Sequence, residues 1–208
     1  MAEASTTSKM LKPDESVDWC YSMRRDMQEI ISGLFLGPYA SAMKAKLSCL
    51  LDRGITHIVC IRQSIESHFI RPNFPDTFRY LVLDIADTFT ENIIRYFSQF
   101  RDFIDECFQR GGRVLVHGNG GISRSASLVI AYVMEKFGLS YRNASAYVQQ
   151  RRFCINPNEH FCQQLKEFEA LSDARRIISC DQGPHKGSLK RKYENDTEED
   201  LHMDEEMS

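Results

Sequence analysis

The residues of this chain whose types and spacing could do chemistry stand together at 117-HGNGGISRS-125. The run VLV before them reads as a buried strand, and the apolar run after them as a helix. A strand that leaves through a glycine-rich turn into a helix gathers backbone N–H groups around one point, with the positive end of the helix dipole behind them. Such a turn is an anion cradle. Gly118, Gly120 and Gly121 permit backbone conformations closed to other residues and let a ligand approach the main chain. Arg124, at the helix start, adds a permanently charged planar fork that matches two phosphate oxygens. The competing reading is an ordinary junction whose arginine pairs with a carboxylate; the full H-x-x-x-G-x-x-R-S spacing favours phosphate. A nucleotide P-loop is excluded, because that motif ends Gly-Lys-Ser/Thr where this one ends Ser-Arg-Ser. A dinucleotide G-x-G-x-x-G turn is excluded as well, because Ser123 stands just before Arg124 where the third glycine after Gly118 and Gly120 would fall.

The elements that must position this loop follow from hydrophobic periodicity. Short apolar strands are expected at 34–37, 55–61, 79–87 and 114–117, and helices at 41–54, 91–112, 123–138, 141–152 and 158–175. Ile94, Phe97, Phe100, Ile104 and Phe108 fall at helical spacing on one face of the 91–112 segment. Gly54, the Gly111-Gly112 pair and Gly138 stop three of the helices. Apolar strands alternating with helices predict an α/β domain with a mostly parallel central sheet flanked by helices.

The chain's 208 residues suffice for one domain with some tail left over. A hydrophobic content of 42% and a charged content of 26% are those of a globular protein with a sizeable core. A net charge of -3 gives no basis for non-specific nucleic-acid or membrane binding. No apolar run approaches a membrane span, and the polar start MAEASTTSKMLKPDES is not a signal peptide, so a cytoplasmic and nuclear location is expected. Seven cysteines, an odd number without a CxxC pair, suggest neither a disulfide framework nor a zinc site. We expect a flexible leader over 1–25, one domain over 26–175, and a disordered tail over 176–208. From Glu194 onward that tail carries eight acidic residues and no basic one. Its 190-KRK-192 is short for a nuclear-import signal and reads more simply as a solvated cluster.

The loop 117-HGNGGISRS-125 resembles the H-C-x-x-G-x-x-R-S/T signature of the cysteine-dependent protein phosphatases, in its dual-specificity form. Every defining position matches except the second, where Gly118 replaces Cys. GLFLGPYASA, GITHIVCI, YLVLDIADTFTENI and the FCINPNEHFCQQLKEFE stretch extend the resemblance over roughly residues 26–172. The resemblance implies a dual-specificity-phosphatase-like fold and specific roles. Asn119, Gly120, Gly121, Ile122, Ser123 and Arg124 would bind phosphate, and His117 would orient the loop. Asp87 would stand at the general-acid position, with Asp84 the less favoured candidate, and Ser125 would match the hydroxyl that assists breakdown of the phosphocysteine. In the family the cysteine thiolate attacks phosphorus, and glycine supplies no substitute.

The chain is therefore identified as a member of the family's pseudophosphatases, in which Gly stands for Cys. The expected function is catalytically inactive recognition: proteins phosphorylated on Ser, Thr or Tyr are held in the cradle and shielded or anchored. Loss of the thiolate removes a like charge from beneath the phosphate. MAP kinases are the partners the resemblance implies. The alternative is an interaction scaffold that uses another surface, toward a kinase or a ubiquitin-ligase component. A third reading is a slow enzyme acting on an unusual phosphoester. No cofactor or metal is expected.

Overall fold

The computed structural model describes residues 19–181; of the tail expected over 176–208, residues 182–208, with 190-KRK-192, lie outside the described residues. Five strands form one sheet: β1 (Gln28–Ile31), β2 (Leu34–Pro38), β3 (Ile55–Arg62), β4 (Arg79–Asp84) and β5 (Arg113–Gly118). Their order is β1-β2-β5-β3-β4. The β2–β5, β5–β3 and β3–β4 pairs are parallel, and β1 is antiparallel to β2 at one edge. The helices are α1 (Leu47–Asp52), α2 (Ile94–Gln109), α3 (Arg124–Phe137), α4 (Tyr141–Arg151) and α5 (Glu159–Asp181).

Alternation along the strands explains why they read as unbroken apolar runs. Leu34 and Leu36, Val59 and Ile61, and Val114 and Val116 face the larger core beneath α2, α3, α4 and α5. Phe35, Ile58 and Leu115 point the other way, into a second core with Leu50 of α1, Phe78 and Met27. Both faces of the central strands are covered, as parallel sheets require. α3 lies deepest, with Arg124 to Met134 all buried, and it ends at Gly138, whose φ of 63° is open to glycine at little cost.

Three expected boundaries are corrected. The helix expected over 41–54 is two 3-10 turns, Tyr39–Ala42 and Lys44–Lys46, followed by the short α1. Met43 between the turns is extended, and the Asn73 amide donates to the Ala42 carbonyl at 2.8 Å, so a tertiary contact takes the place of a helical one. The strand expected over 79–87 ends at Asp84, which frees 85–93 to form a loop beside the site. α5 continues to Asp181, past the boundary expected at 175. Periodicity also missed β1 and the 3-10 turn Tyr21–Arg25, which fall in or next to the segment expected to be a leader. Among the described residues no helix is long and apolar enough to cross a membrane.

Candidate functional site: an anion cradle at the end of β5

β5 is the middle strand, flanked by the parallel β2 and β3, and the loop 118–123 leaves its C-terminal end. This is where open α/β sheets place ligands. The loop's shape is imposed from outside. The Asn119 carbonyl accepts from the Tyr39 amide at 3.0 Å, and the Ile122 carbonyl from the Asn156 amide at 2.9 Å. Between them the Arg152 guanidinium donates to the carbonyls of Gly120, at 3.1 Å, and Gly121, at 2.9 Å. Four consecutive carbonyls are thus held on the outer side. Because each trans peptide directs its N–H opposite to its C=O, the amides of residues 120–123 face the inner side.

Arg152 is fully buried and also donates to the Arg24 and Asp26 carbonyls and to the Gln28 side-chain oxygen. Gly121 has φ of 65°, and a Cβ there would lie 2.3 Å from the Gly37 carbonyl oxygen, so only glycine fits. Gly118 and Gly120 do not take positive φ, so of the three loop glycines only Gly121 is required by backbone conformation and close approach.

The helix start is left open toward the loop. Ser123 gives α3 no side-chain cap; its hydroxyl donates to Asp87 Oδ1 at 2.9 Å instead. Asn158 Nδ2 donates to the same oxygen at 2.7 Å, while Asn158 Oδ1 caps α5 by accepting from the Phe161 amide at 2.8 Å. Asp87 is thereby fixed at the rim, its Oδ2 3.9 Å from Arg124 Nε. Asp84 is elsewhere, on the sheet edge, 3.5 Å from Arg62.

The Arg124 fork is not empty. Its Nη1 and Nη2 donate to the two carboxylate oxygens of Glu66 at 2.6 and 3.1 Å, and Nη1 donates also to the Ile85 carbonyl at 3.1 Å. Burial alone would raise the Glu66 carboxyl, but hydrogen bonds from Arg124, the Gln63 amide and Asn119 hold it below the usual range. The contact named as the competing reading of Arg124 therefore exists, yet its carboxylate sits at the loop.

At the nucleophile position nothing obstructs a side chain. A Cβ on Gly118 would lie 3.4 Å from Ser125 Oγ and 3.6 Å from the Ile61 carbonyl, both ordinary contacts. Ser125 Oγ is buried and has no hydrogen-bond partner among the described residues. An orphaned hydroxyl at the cradle floor is the kind of group a ligand or thiolate would satisfy. Cys60, next to His117 across the β3–β5 pair, cannot stand in: burial pushes its thiol up to about 12.

His117 is fully buried beneath the loop, its ring 5.7 Å from that of Tyr39, and its Nδ1 lies 3.4 Å from the Gly118 carbonyl. Burial drives its pKa from 6.5 down to about 4, so the folded protein keeps the ring neutral. A depressed histidine pKa contributes stability that is complete above pH 6.5 and is lost as pH falls toward about 4, where the unfolded chain alone takes the proton. The loss attributable to His117 is about 3 kcal/mol. Urea unfolding between pH 7 and 4.5 should show a distinctly flatter pH dependence in His117→Gln than in the native chain; equal slopes would refute the assignment.

Sequence reasoning named His117, Gly118, the 119–124 loop, Ser125 and Asp87, and the fold brings all of them together. It missed Glu66, Arg152 and Asn158. Of these only Asn158 left a signal, an Asn followed by an acidic residue before an apolar-periodic run, which reads as a helix cap.

The dual specificity phosphatase catalytic-domain family matches residues 34–171 of the chain. Serine/threonine/tyrosine-interacting protein B of Xenopus laevis is 58% identical over 196 residues, covering 89% of this chain and 88% of that protein. The human serine/threonine/tyrosine-interacting protein is 57% identical over 195 residues, 88% of this chain and 87% of the other. The crystal structure of the human tyrosine phosphatase-like protein of that name superposes with a TM-score of 0.70 at 67% identity. It covers 71% of this chain and 97% of the other. These relatives carry names of interacting proteins, not of phosphatases. The chain belongs to the dual-specificity phosphatase family, alongside its serine/threonine/tyrosine-interacting proteins.

Proposed function

We propose that the chain is a catalytically inactive phosphatase domain that binds proteins phosphorylated on Ser, Thr or Tyr, shielding or anchoring the phosphorylated residue. One observation carries the reading: four consecutive loop carbonyls are pinned by outside donors, which turns the four amides to the other side, while Gly118 supplies no nucleophile there. In this role Asn119 to Ser123 form the loop, whose 120–123 amides are the backbone donors, with Arg124 the charge and His117 the buried floor beneath. Asp87 and Ser125 occupy the acid and hydroxyl positions of a reaction that has no attacking atom. MAP kinases are the partners suggested by the family, in cytoplasm and nucleus.

A second reading, an interaction scaffold toward a kinase or ubiquitin-ligase component, draws on side chains that the fold leaves unused. Ile65, beside Glu66, is 76% exposed, and Phe89, two residues from Asp87, is 73% exposed. One experiment separates the two. Arg124→Ala should weaken binding of tungstate, measured by calorimetry, by about 10- to 100-fold, the effect of a lost charge-assisted fork. It should also deplete phosphoproteins from a capture compared with the native chain. Equal tungstate binding and equal capture by the two proteins would refute phosphate recognition and leave the scaffold.

A further inference from the structure

An arginine guanidinium has five N–H donors, and three of those of Arg124 are already committed. Glu66 takes one from each terminal nitrogen and the Ile85 carbonyl takes another. What remains is the side edge, Nε and one N–H of Nη2, with Asp87 Oδ2 3.9 Å from Nε. The charged side chains at the loop are Arg124 and, behind it, the buried Arg152, against Glu66 and Asp87: two cations and two anions. A phosphate dianion therefore enters a site whose positive side-chain charge is already balanced, with Glu66 on the Arg124 fork itself, and the inward amides must supply the rest of the attraction.

Glu66 is placed as a competitor as well as a brace for its own turn, where it accepts from the Gln63 amide at 2.6 Å. It ends the 3-10 turn Ser64–Glu66, whose neighbours Ser64, Ile65 and Ser67 are all exposed, so the turn holds little packing that movement would cost. Glu66 alone in this turn points inward, with side-chain exposure of 12% against 9% for Arg124. We propose that Glu66 is a specificity-determining residue: an in-chain counter-anion that shares Arg124 with the ligand and suppresses binding of free anions. Capture then depends on further contacts from the protein that carries the phosphate. This rests on the cradle being a phosphate site.

The probe is tungstate, with inorganic phosphate as a second anion, titrated calorimetrically into the full chain and three variants. Glu66→Gln keeps the side chain's size and removes its charge; it should bind tungstate about tenfold more tightly or better. Glu66→Ala should show the same sign, which guards against misfolding of the first variant. The gain should vanish in Glu66→Gln combined with Arg124→Ala. Unchanged or weaker binding by both single variants, with the native chain binding, overturns the role of Glu66 and leaves the pocket standing. Absence of tungstate binding in every protein refutes the pocket itself, and the inference with it.

Discussion

Gly118→Cys is expected to release product from a generic aryl phosphate at a rate on the order of 10⁴-fold or more above the native chain, the usual cost of a missing nucleophile run in reverse. The expectation follows from geometry. The new Cβ meets Ser125 Oγ at 3.4 Å and the Ile61 carbonyl at 3.6 Å, so it enters without displacing backbone, and position 118 does not require positive φ. The sulfur would stand at the end of β5 under the inward amides and the start of α3, which favour the thiolate. Ser125 Oγ, now without a partner, would gain one. Asp87 is already held at the rim by Ser123 and Asn158. Gly118→Ser should remain inactive, because a hydroxyl has no comparable thiolate-like form there. A folded Gly118→Cys protein that hydrolyses nothing and alkylates no faster than an ordinary cysteine would mean the loop does not hold catalytic geometry.

Arg152→Ala should be the most destabilising single change near the site. The side chain is 0% exposed and donates to five acceptors, the carbonyls of Arg24, Asp26, Gly120 and Gly121 and the side chain of Gln28. Its removal leaves these acceptors, buried at Gly121 and partly buried elsewhere, unpaired around a cavity, at a cost of about 3–5 kcal/mol. For a domain of this size the midpoint of thermal unfolding should fall by about 10 °C. Arg152→Lys should not restore it, since one ammonium cannot reproduce a fork that spans two chain segments. Loss of less than about 1 kcal/mol in urea unfolding would show that the loop is not held by this residue. The variant should also bind tungstate poorly under conditions where it remains folded, because the Gly120 and Gly121 planes would no longer be fixed.

These two residues mark the limits of what could be read from the chain. The loop was legible because its meaning lies in contiguous spacing: a strand, glycines, an arginine, a helix. Both buried faces of β2, β3 and β5 were legible for the same reason, as runs of apolar residues bounded by turns. Arg152 was not, since an arginine at the end of α4 reads as a charge near a helix C-terminus, and its five partners lie between 31 and 128 residues away in sequence. Glu66 was invisible too: a carboxylate in a polar turn carries no periodic signal, and its partner Arg124 is 58 residues distant. The short β1 and the 3-10 turns fall below the length at which periodicity separates one element from another.

The pinned peptides of the loop have two sides with different duties. On the convex side Tyr39, Arg152 and Asn156 grip the carbonyls, and none of these contacts passes through position 118. On the concave side lie the amides and the bare Cα of Gly118. Mutational tolerance should divide along the same line: exchanges behind the loop spend folding free energy, while an exchange at 118 rewrites chemistry and leaves the mould as it was. A fold so arranged can lose or regain a catalytic atom without being rebuilt around it.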